Sequence, residues 1–294
     1  MIRHLVGWMK RDFRFSKYQG CGNDFIIGDE LSGPVTSDAV RSRLAKELCD
    51  RHFKVGADGV IFVEKAGGVD GSMRLFEPAG NEADMCGNGI RCVASFLMQK
   101  LGKESVDILT RDGIKHIVRM GDQFRVDMGI VRTDRASLGQ YVSDPGAPSD
   151  SMLSFSVRAG RRTLKGAIVN SGEPHIVIKT KDVAGEDICT LGESVNSDKA
   201  RFPTGVNLNM VQVVGPHSIK IRTYERGVYD ETLACGTGAT AGAAVSVLLG
   251  WVEPGKVEVE ARGGRMSIEL TDDGRAFMTG PATMEFEGIV RVEL

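Results

Sequence analysis

Two cysteines sit in matching surroundings. Cys86-Gly87-Asn88-Gly89-Ile90 and Cys235-Gly236-Thr237-Gly238-Ala239 lie 149 positions apart. Each opens an apolar run of helical character, Ile90 to Leu97 and Ala239 to Leu249. A cysteine just ahead of a helix meets the positive end of the helix dipole, which favours thiolate. The backbone N–H groups behind it form an anion site. Two such elements facing each other would put a thiol on each side of one bound anion. That arrangement suits taking a proton from one face of a carbon and returning one to the other. One proton would be shared by two sulfurs, so the titration belongs to the pair.

The carbon acid this chemistry serves best is the α-carbon of an amino acid. Its carbanion is poorly stabilised, and many enzymes use pyridoxal phosphate as an electron sink. No pyridoxal site is legible here, and no cofactor is expected. The alternative is a dry pocket, a carboxylate held by preorganised N–H dipoles, and a base matched to the task. A thiol, with its ordinary pKa of about 8.5, can be brought into that range at a helix start.

The positioning elements repeat at the same interval. Gly22-Asn23-Asp24-Phe25-Ile26-Ile27 has a counterpart in Gly172-Glu173-Pro174-His175-Ile176-Val177. Gly56-Ala57-Asp58-Gly59-Val60 has one in Gly205-Val206-Asn207-Leu208-Asn209. An interval this long points to two similar domains, since a solenoid repeats every 20 to 50 residues or so. Short strands are expected at Phe13–Tyr18, Phe25–Asp29, Gly59–Glu64 and Ser72–Phe76, with a helix from Asp38 to Cys49. Strands at Ser105–Thr110, Gly113–Met120 and Gln123–Met128 follow the first cysteine helix, and turn-rich Gly129–Asp150 reads as a linker. The second half repeats the order. Its strands are expected at Leu153–Val157, Thr163–Val169, Ile176–Lys179, Leu208–Val214 and Ser218–Tyr224, with a mixed segment up to Arg201. After the second cysteine helix come Val257–Ala261, Met266–Leu270, Ala276–Thr279 and a last strand from Met284.

The 294 residues suffice for two domains with real cores. A net charge of −2 and a sequence pI near 6.2 leave no electrostatic footprint for nucleic acid or an anionic membrane. The basic run Arg158-Ala159-Gly160-Arg161-Arg162 reads as a solvated hairpin. No segment approaches the roughly 18 apolar residues of a membrane span. Met1 to Asp12 lacks the apolar core and cleavage site of a secretory signal, and Met9 is an alternative start. The six cysteines include no CxxC pair and match neither a zinc site nor a disulfide scaffold, so no metal is expected and a reducing cytoplasm is. Cys49, Cys92 and Cys189 read as core residues. Cys21, in a Gly-rich loop beside Asn23, does not.

The chain resembles the diaminopimelate epimerase family, the cofactor-independent two-cysteine enzymes of lysine biosynthesis. The matching strings are Lys17 to Phe25, Gly56 to Gly59, Met85 to Cys92, Gly172 to His175, and Tyr224-Glu225-Arg226-Gly227 running on to Glu231 through Gly238. The resemblance implies an α/β (α+β) fold of two pseudo-symmetric domains, each a β-barrel-like sheet around a central helix, with the site between them. It implies domains at 1–130 plus 281–294 and at 131–280. It implies Cys86 and Cys235 as the base and acid pair, with His175 and Glu225 as polar partners of the thiols. The backbone at Gly87, Asn88, Gly236 and Thr237 would hold the reacting carboxylate. Asn23, Asn207 and Arg226 would meet the distal group, Arg226 as a carboxylate fork. It also implies a homodimer acting on a small amino acid, with no nucleic-acid or membrane partner. By residue type alone, His175 also fits a structural histidine, Glu225 and Arg226 a surface pair, and Asn23 a turn. Asn209, two places from Asn207, would face the same side of a strand.

The chain departs from the family at two positions that are commonly Asn, Glu77 and Glu173, both near the expected distal end of the substrate. An added carboxylate there could pair with the distal ammonium of diaminopimelate, repel its distal carboxylate, or favour another, basic amino acid. There is also a one-residue expansion between Gly227 and Cys235. A reading from a different class is a thiol-redox or small-molecule-binding protein whose cysteines pair as a switch.

Overall fold

A computed structural model describes residues 10–34, 37–143 and 152–293. The N-terminal stretch up to Met9 and the later part of the expected linker lie outside the described residues. The chain divides into two units. One runs through Ile117 and resumes at Ala282, and the other is Val118–Pro281.

In the first unit, β1 (Lys10–Gly20) and β2 (Asn23–Glu30) form a hairpin. Its two-residue turn places Cys21 at φ 54 and Gly22 at φ 79, the left-handed pair that matches the twist of the strands. Then come α1 (Asp38–Leu48), β3 (Gly59–Glu64), β4 (Gly71–Phe76), β5 (Glu82–Ala83), α2 (Gly87–Leu101) and β6 (Ser105–Thr110). β2 pairs parallel with β3, β3 antiparallel with β4, and β4 antiparallel with β5 and parallel with β6. β7 (Gly113–Met120) crosses into the second unit, which continues with β8 (Gln123–Ile130), α3 (Arg135–Leu138), β9 (Phe155–Ala159), β10 (Arg162–Asn170) and β11 (Pro174–Lys179). Next are α4 (Ile188–Ser197), β12 (Asn207–Gly215), β13 (Ser218–Glu225), β14 (Asp230–Thr232), α5 (Gly236–Leu248), β15 (Lys256–Ala261), β16 (Gly264–Leu270) and β17 (Arg275–Pro281). β18 (Thr283–Glu293) closes the first unit by pairing antiparallel with β1 along its length.

The pairing of the first unit recurs in the second. β11 lies parallel to β12, β12 antiparallel to β13, and β13 antiparallel to β14 and parallel to β15. The internal repeat is thus a repeat of topology. The inner strands are apolar on both faces: Val60 to Val63 have no exposed surface. That is how a strand reads when helices cover both sides. On one side lies α1, whose Leu44, Ala45 and Leu48 pack with Ile26, Val60 and Phe62. On the other lies α2, in contact with β1, β2, β4, β6 and β18. In the second unit α4 takes the place of α1, and α5 touches seven strands from β10 to β17. α5 is apolar all round and is buried at nearly every position from Gly236 to Ser246. That is the signature of a central helix.

By contact the division falls at Ile117/Val118. The reason is β8, which pairs antiparallel with β17 from Gln123 to Ile130. The return to the first unit comes at Ala282. The expected linker contains an ordered start: Arg132 bridges to Asn170, and α3 follows, capped by Asp134. The mixed segment before Arg201 holds α4, whose start is capped by Asp187. β9 runs two residues later than expected, and Gly160 makes the tight turn of the arginine-rich hairpin.

Candidate functional site

Cys86 is the N-cap of α2, with extended backbone (φ −137, ψ 121), and its sulfur accepts the Gly89 N–H at 3.5 Å. The Ile90 N–H closes the first helical turn on the Cys86 carbonyl. The helix itself offers no acceptor to the N–H groups of Gly87 and Asn88. Cys86 Sγ lies 3.6 Å from Asn23 Oδ1, and the Asn88 amide nitrogen lies 3.5 Å from the same oxygen. Asn23 in turn donates to Asp58 at 2.7 Å. Beneath the helix start lies Arg91, with no exposed surface, donating to Gly87 O, Asn88 Oδ1 and Cys21 Sγ. Burial pulls the Arg91 pKa down and pushes Cys21 up. Cys92, also enclosed, is pushed up to about 12 and is an inert core thiol. Glu77 lies in the turn between β4 and β5, where its backbone bonds Asn81 and Gly80.

The second cysteine repeats the first. Cys235 caps α5 with φ −114 and ψ 118, and its sulfur accepts the Gly238 N–H at 3.3 Å. Thr237 Oγ1 is also 3.3 Å from that sulfur, and the Thr237 carbonyl accepts from Ser171 Oγ at 2.9 Å. Gly236 and Thr237 supply the first-turn N–H groups. One sulfur of the pair is expected to stay protonated, and the surroundings of Cys235 favour that form. Burial pushes the Cys235 thiol well above its ordinary range, and the Glu225 carboxylate adds to this. The hydroxyl of Thr237 and the N–H of Gly238 oppose the shift without overcoming it. Cys235 in the free protein is a thiol. Glu225 itself accepts from Thr232 Oγ1.

Around this helix start, β11 and β12 carry a buried polar ladder. His175 stands opposite Asn207 in the parallel register, and both have no exposed surface. The His175 ring meets Asn209 Nδ2 at 3.0 Å and Asn207 Nδ2 at 3.5 Å. Burial holds its pKa down at about 4, so the ring is neutral. Asn207 also donates to Glu173 at 2.8 Å and accepts the Arg226 N–H at 2.8 Å. Arg226 Nε reaches the same Glu173 oxygen at 3.4 Å, and the guanidinium lies over Tyr141. Within the second unit the structure therefore gathers Glu173, His175, Asn207 and Arg226 into one hydrogen-bonded network. In the first unit it gathers Asn23, Cys86, Gly87 and Asn88.

Several residues of these sites were not assigned a role from the sequence, Asn209 having entered only as an alternative to Asn207. Asn209 accepts from Thr223 Oγ1 at 2.9 Å, and both pack against Gly238, where a Cβ would come within 2.7 and 3.0 Å of them. Arg91 is signalled only as a charge at the head of an apolar helix. A third feature is duplicated. Four residues ahead of each cysteine is a glutamate forked by an arginine of the preceding strand. Arg74 holds Glu82 at 2.7 and 2.9 Å, and Arg222 holds Glu231 at 2.6 and 2.8 Å. The equal spacing of Glu82 from Cys86 and Glu231 from Cys235 was the available signal.

The family model described as diaminopimelate epimerase matches residues 15–133 and 167–285. A protein of Methanocella arvoryzae named diaminopimelate epimerase is 37% identical over 284 residues, covering 95% of this chain and 97% of its own. One of Rippkaea orientalis with the same name is 39% identical over 282 residues, covering 94% and 98%. Among solved structures, a hydroxyproline epimerase from Agrobacterium vitis superposes with a TM-score of 0.67 at 13% identity, covering 98% of this chain and 94% of its own. A PhzF-family phenazine biosynthesis protein from Bacillus anthracis gives 0.66 at 16%, covering 96% and 100%. These structures share the two-domain fold. Identity of this extent over nearly the whole chain, together with the matched cysteine segments, places the chain in the diaminopimelate epimerase family.

Proposed function

We propose that the chain interconverts LL- and meso-2,6-diaminopimelate by proton transfer at the α-carbon between two thiols, without a cofactor, in lysine biosynthesis. The observation that carries this reading is the duplicated cap: each cysteine sulfur takes the N–H three residues ahead at the start of a buried helix. Inversion requires a base on one face of the α-carbon and an acid on the other, and Cys86 and Cys235 supply them. As one thiolate takes the α-proton, negative charge spreads onto the carboxylate. First-turn N–H groups aimed at it stabilise that charge without reorganising. Cys235, held protonated by burial, begins as the acid for one isomer. Microscopic reversibility exchanges the roles for the other.

A second reading draws on Glu173, whose carboxylate accepts from Asn207 and Arg226. An anion at that place partly neutralises Arg226 and suits a substrate bearing a distal cation, so the same chemistry on another basic amino acid is the alternative. Incubation with LL-diaminopimelate under reducing conditions, followed by chiral chromatography, tests the choice. Conversion to the meso isomer, little inhibited by equimolar lysine or ornithine, is expected. Inversion of lysine or ornithine in preference to diaminopimelate would establish the alternative.

A further inference from the structure

We propose that Asp58 is a positioning residue that, through the Asn23 carboxamide, sets the basicity of Cys86. The sense in which Asn23 points follows from its neighbours. A carboxylate only accepts hydrogen bonds, and Asp58 Oδ2 lies 2.7 Å from one end of the amide. That end is therefore the NH2 group, and the carbonyl oxygen faces Cys86 and Asn88. Asn88 is fixed in the same way by a charge of opposite sign, since its own carbonyl accepts from buried Arg91 at 2.8 Å. Two charged residues thus orient two amides that converge beside one sulfur.

Asp58 is itself held. Its Oδ2 also accepts the Asp24 N–H at 3.1 Å, its Oδ1 accepts from Arg51 at 2.6 Å, and its own N–H donates to Asp24 O at 2.8 Å. Burial raises the neighbouring Asp24 carboxyl, but hydrogen bonds from Arg51 and Lys17 outweigh it and hold it at about 2. Asp24 therefore keeps its charge throughout the neutral range.

The sulfur lies between opposing influences. The Gly89 N–H and the helix start favour thiolate. A carbonyl oxygen 3.6 Å away accepts from a thiol and repels a thiolate. The Cys86 thiolate is consequently more basic than the helix start alone would make it, and a more basic thiolate is the better base for a reluctant carbon acid. This part rests on the assignment of Cys86 as a catalytic base. Several other charged groups on the elements packed against α2 have partners of their own. Arg74 on β4 goes to Asp38 and Glu82, Asp107 on β6 to His116, Glu287 on β18 to Ser16, and Lys17 on β1 to Asp24. Arg91 and the thiols Cys21 and Cys92 share the buried side of the helix start, where Arg91 bonds Asn88 and Cys21.

The test is the pH dependence of iodoacetamide labelling at Cys86, read site by site by mass spectrometry in reduced protein without substrate. In Asp58→Ala the Asn23 amide is free to turn its NH2 toward the sulfur. The labelling midpoint is expected to fall by about one pH unit, giving roughly tenfold faster labelling on the acid side. The acid limb of kcat/KM should move the same way, with kcat reduced. Asp58→Asn keeps a carbonyl that accepts from Asn23 and the Asp24 N–H, so its midpoint should stay with the wild type and rule out a folding defect. An unchanged midpoint in Asp58→Ala, with Cys86 still labelled and the melting temperature retained, would overturn the proposal. A shifted midpoint in a protein that turns over no diaminopimelate would instead overturn the proposed function and leave the control of Cys86 standing.

Discussion

At the scale of the residue, the two sulfurs do not begin alike. Cys235 is 9% exposed and faces the charge of Glu225, while Cys86 is more open and is balanced between the Gly89 N–H and the Asn23 carbonyl. Replacing either with serine leaves a hydroxyl far too weak an acid to serve. Turnover of both isomers is expected to fall by about 10³-fold or more in each variant, since positioned acid–base groups contribute 10² to 10⁴. Steady-state rates in both directions check this. His175 makes a different prediction. Its folded pKa of about 4 lies below the unfolded 6.5, so between those values the unfolded chain binds more protons. Its contribution to stability is complete above pH 6.5 and is lost as pH falls toward 4, by about 3 kcal/mol. Urea unfolding at pH 7 and pH 5 should show the loss in wild type and less of it in His175→Gln. The cysteines were legible because their types and spacing recur. The choice between Asn207 and Asn209 was not, because both lie on one face of β12 and both are used, one toward Glu173 and Arg226, the other toward Thr223.

At the scale of the element, each cysteine helix is placed from both ends of its first turn. Behind it, a glycine lets the inner strands approach. Ahead of it, an arginine–glutamate fork fixes the short strand that leads in. A Cβ at Gly238 meets polar atoms of Asn209 and Thr223, whereas one at Gly89 meets the mobile ends of Met73 and Ile61. Gly238→Ala is therefore expected to cost about 1–3 kcal/mol and most of the activity, and Gly89→Ala less of both. Paired thermal melts and rates decide this. Glu231 is 7% exposed at its side chain and forked by Arg222, itself 18% exposed, so Glu231→Ala strips the Arg222 Nε and Nη2 donors of their carboxylate. A loss of about 2 kcal/mol is expected, with kcat falling more than KM rises as Cys235 loses its placement. β3 could be read from its apolar run and β13 from its alternation. α4 could not, because Gly192 interrupts its helical character. That glycine is required by the Tyr224 ring, which a Cβ would meet at 2.2 Å.

At the scale of the whole molecule, the duplication seen as weak string matches is a duplication of strand pairing. It extends through the hairpins β1–β2 and β10–β11, the parallel steps β2–β3 and β11–β12, and the capped helices. Nothing in the composition of β8 announces that it will pair with β17 rather than stay with the strands before it. The return of β18 has a consequence of its own. It pairs with β1 from Lys10 to Gln19 and helps enclose Phe13 and Phe15. A chain ending at Pro281 should lose the protection of β1 and β2 in hydrogen exchange while β10 to β13 keep theirs. Equal loss in both units would mean that they do not hold their folds separately.

The central claim is that two different thiols act on one α-carbon. The most direct measurement is early-time turnover of LL-diaminopimelate in heavy water, with product and recovered substrate separated and their α-positions read by NMR. With two bases, deuterium enters the meso product with each inversion, while recovered LL substrate stays protiated at the outset. Deuterium in recovered substrate at the same rate as in product, or full two-way turnover surviving in Cys86→Ser or Cys235→Ser, would contradict it.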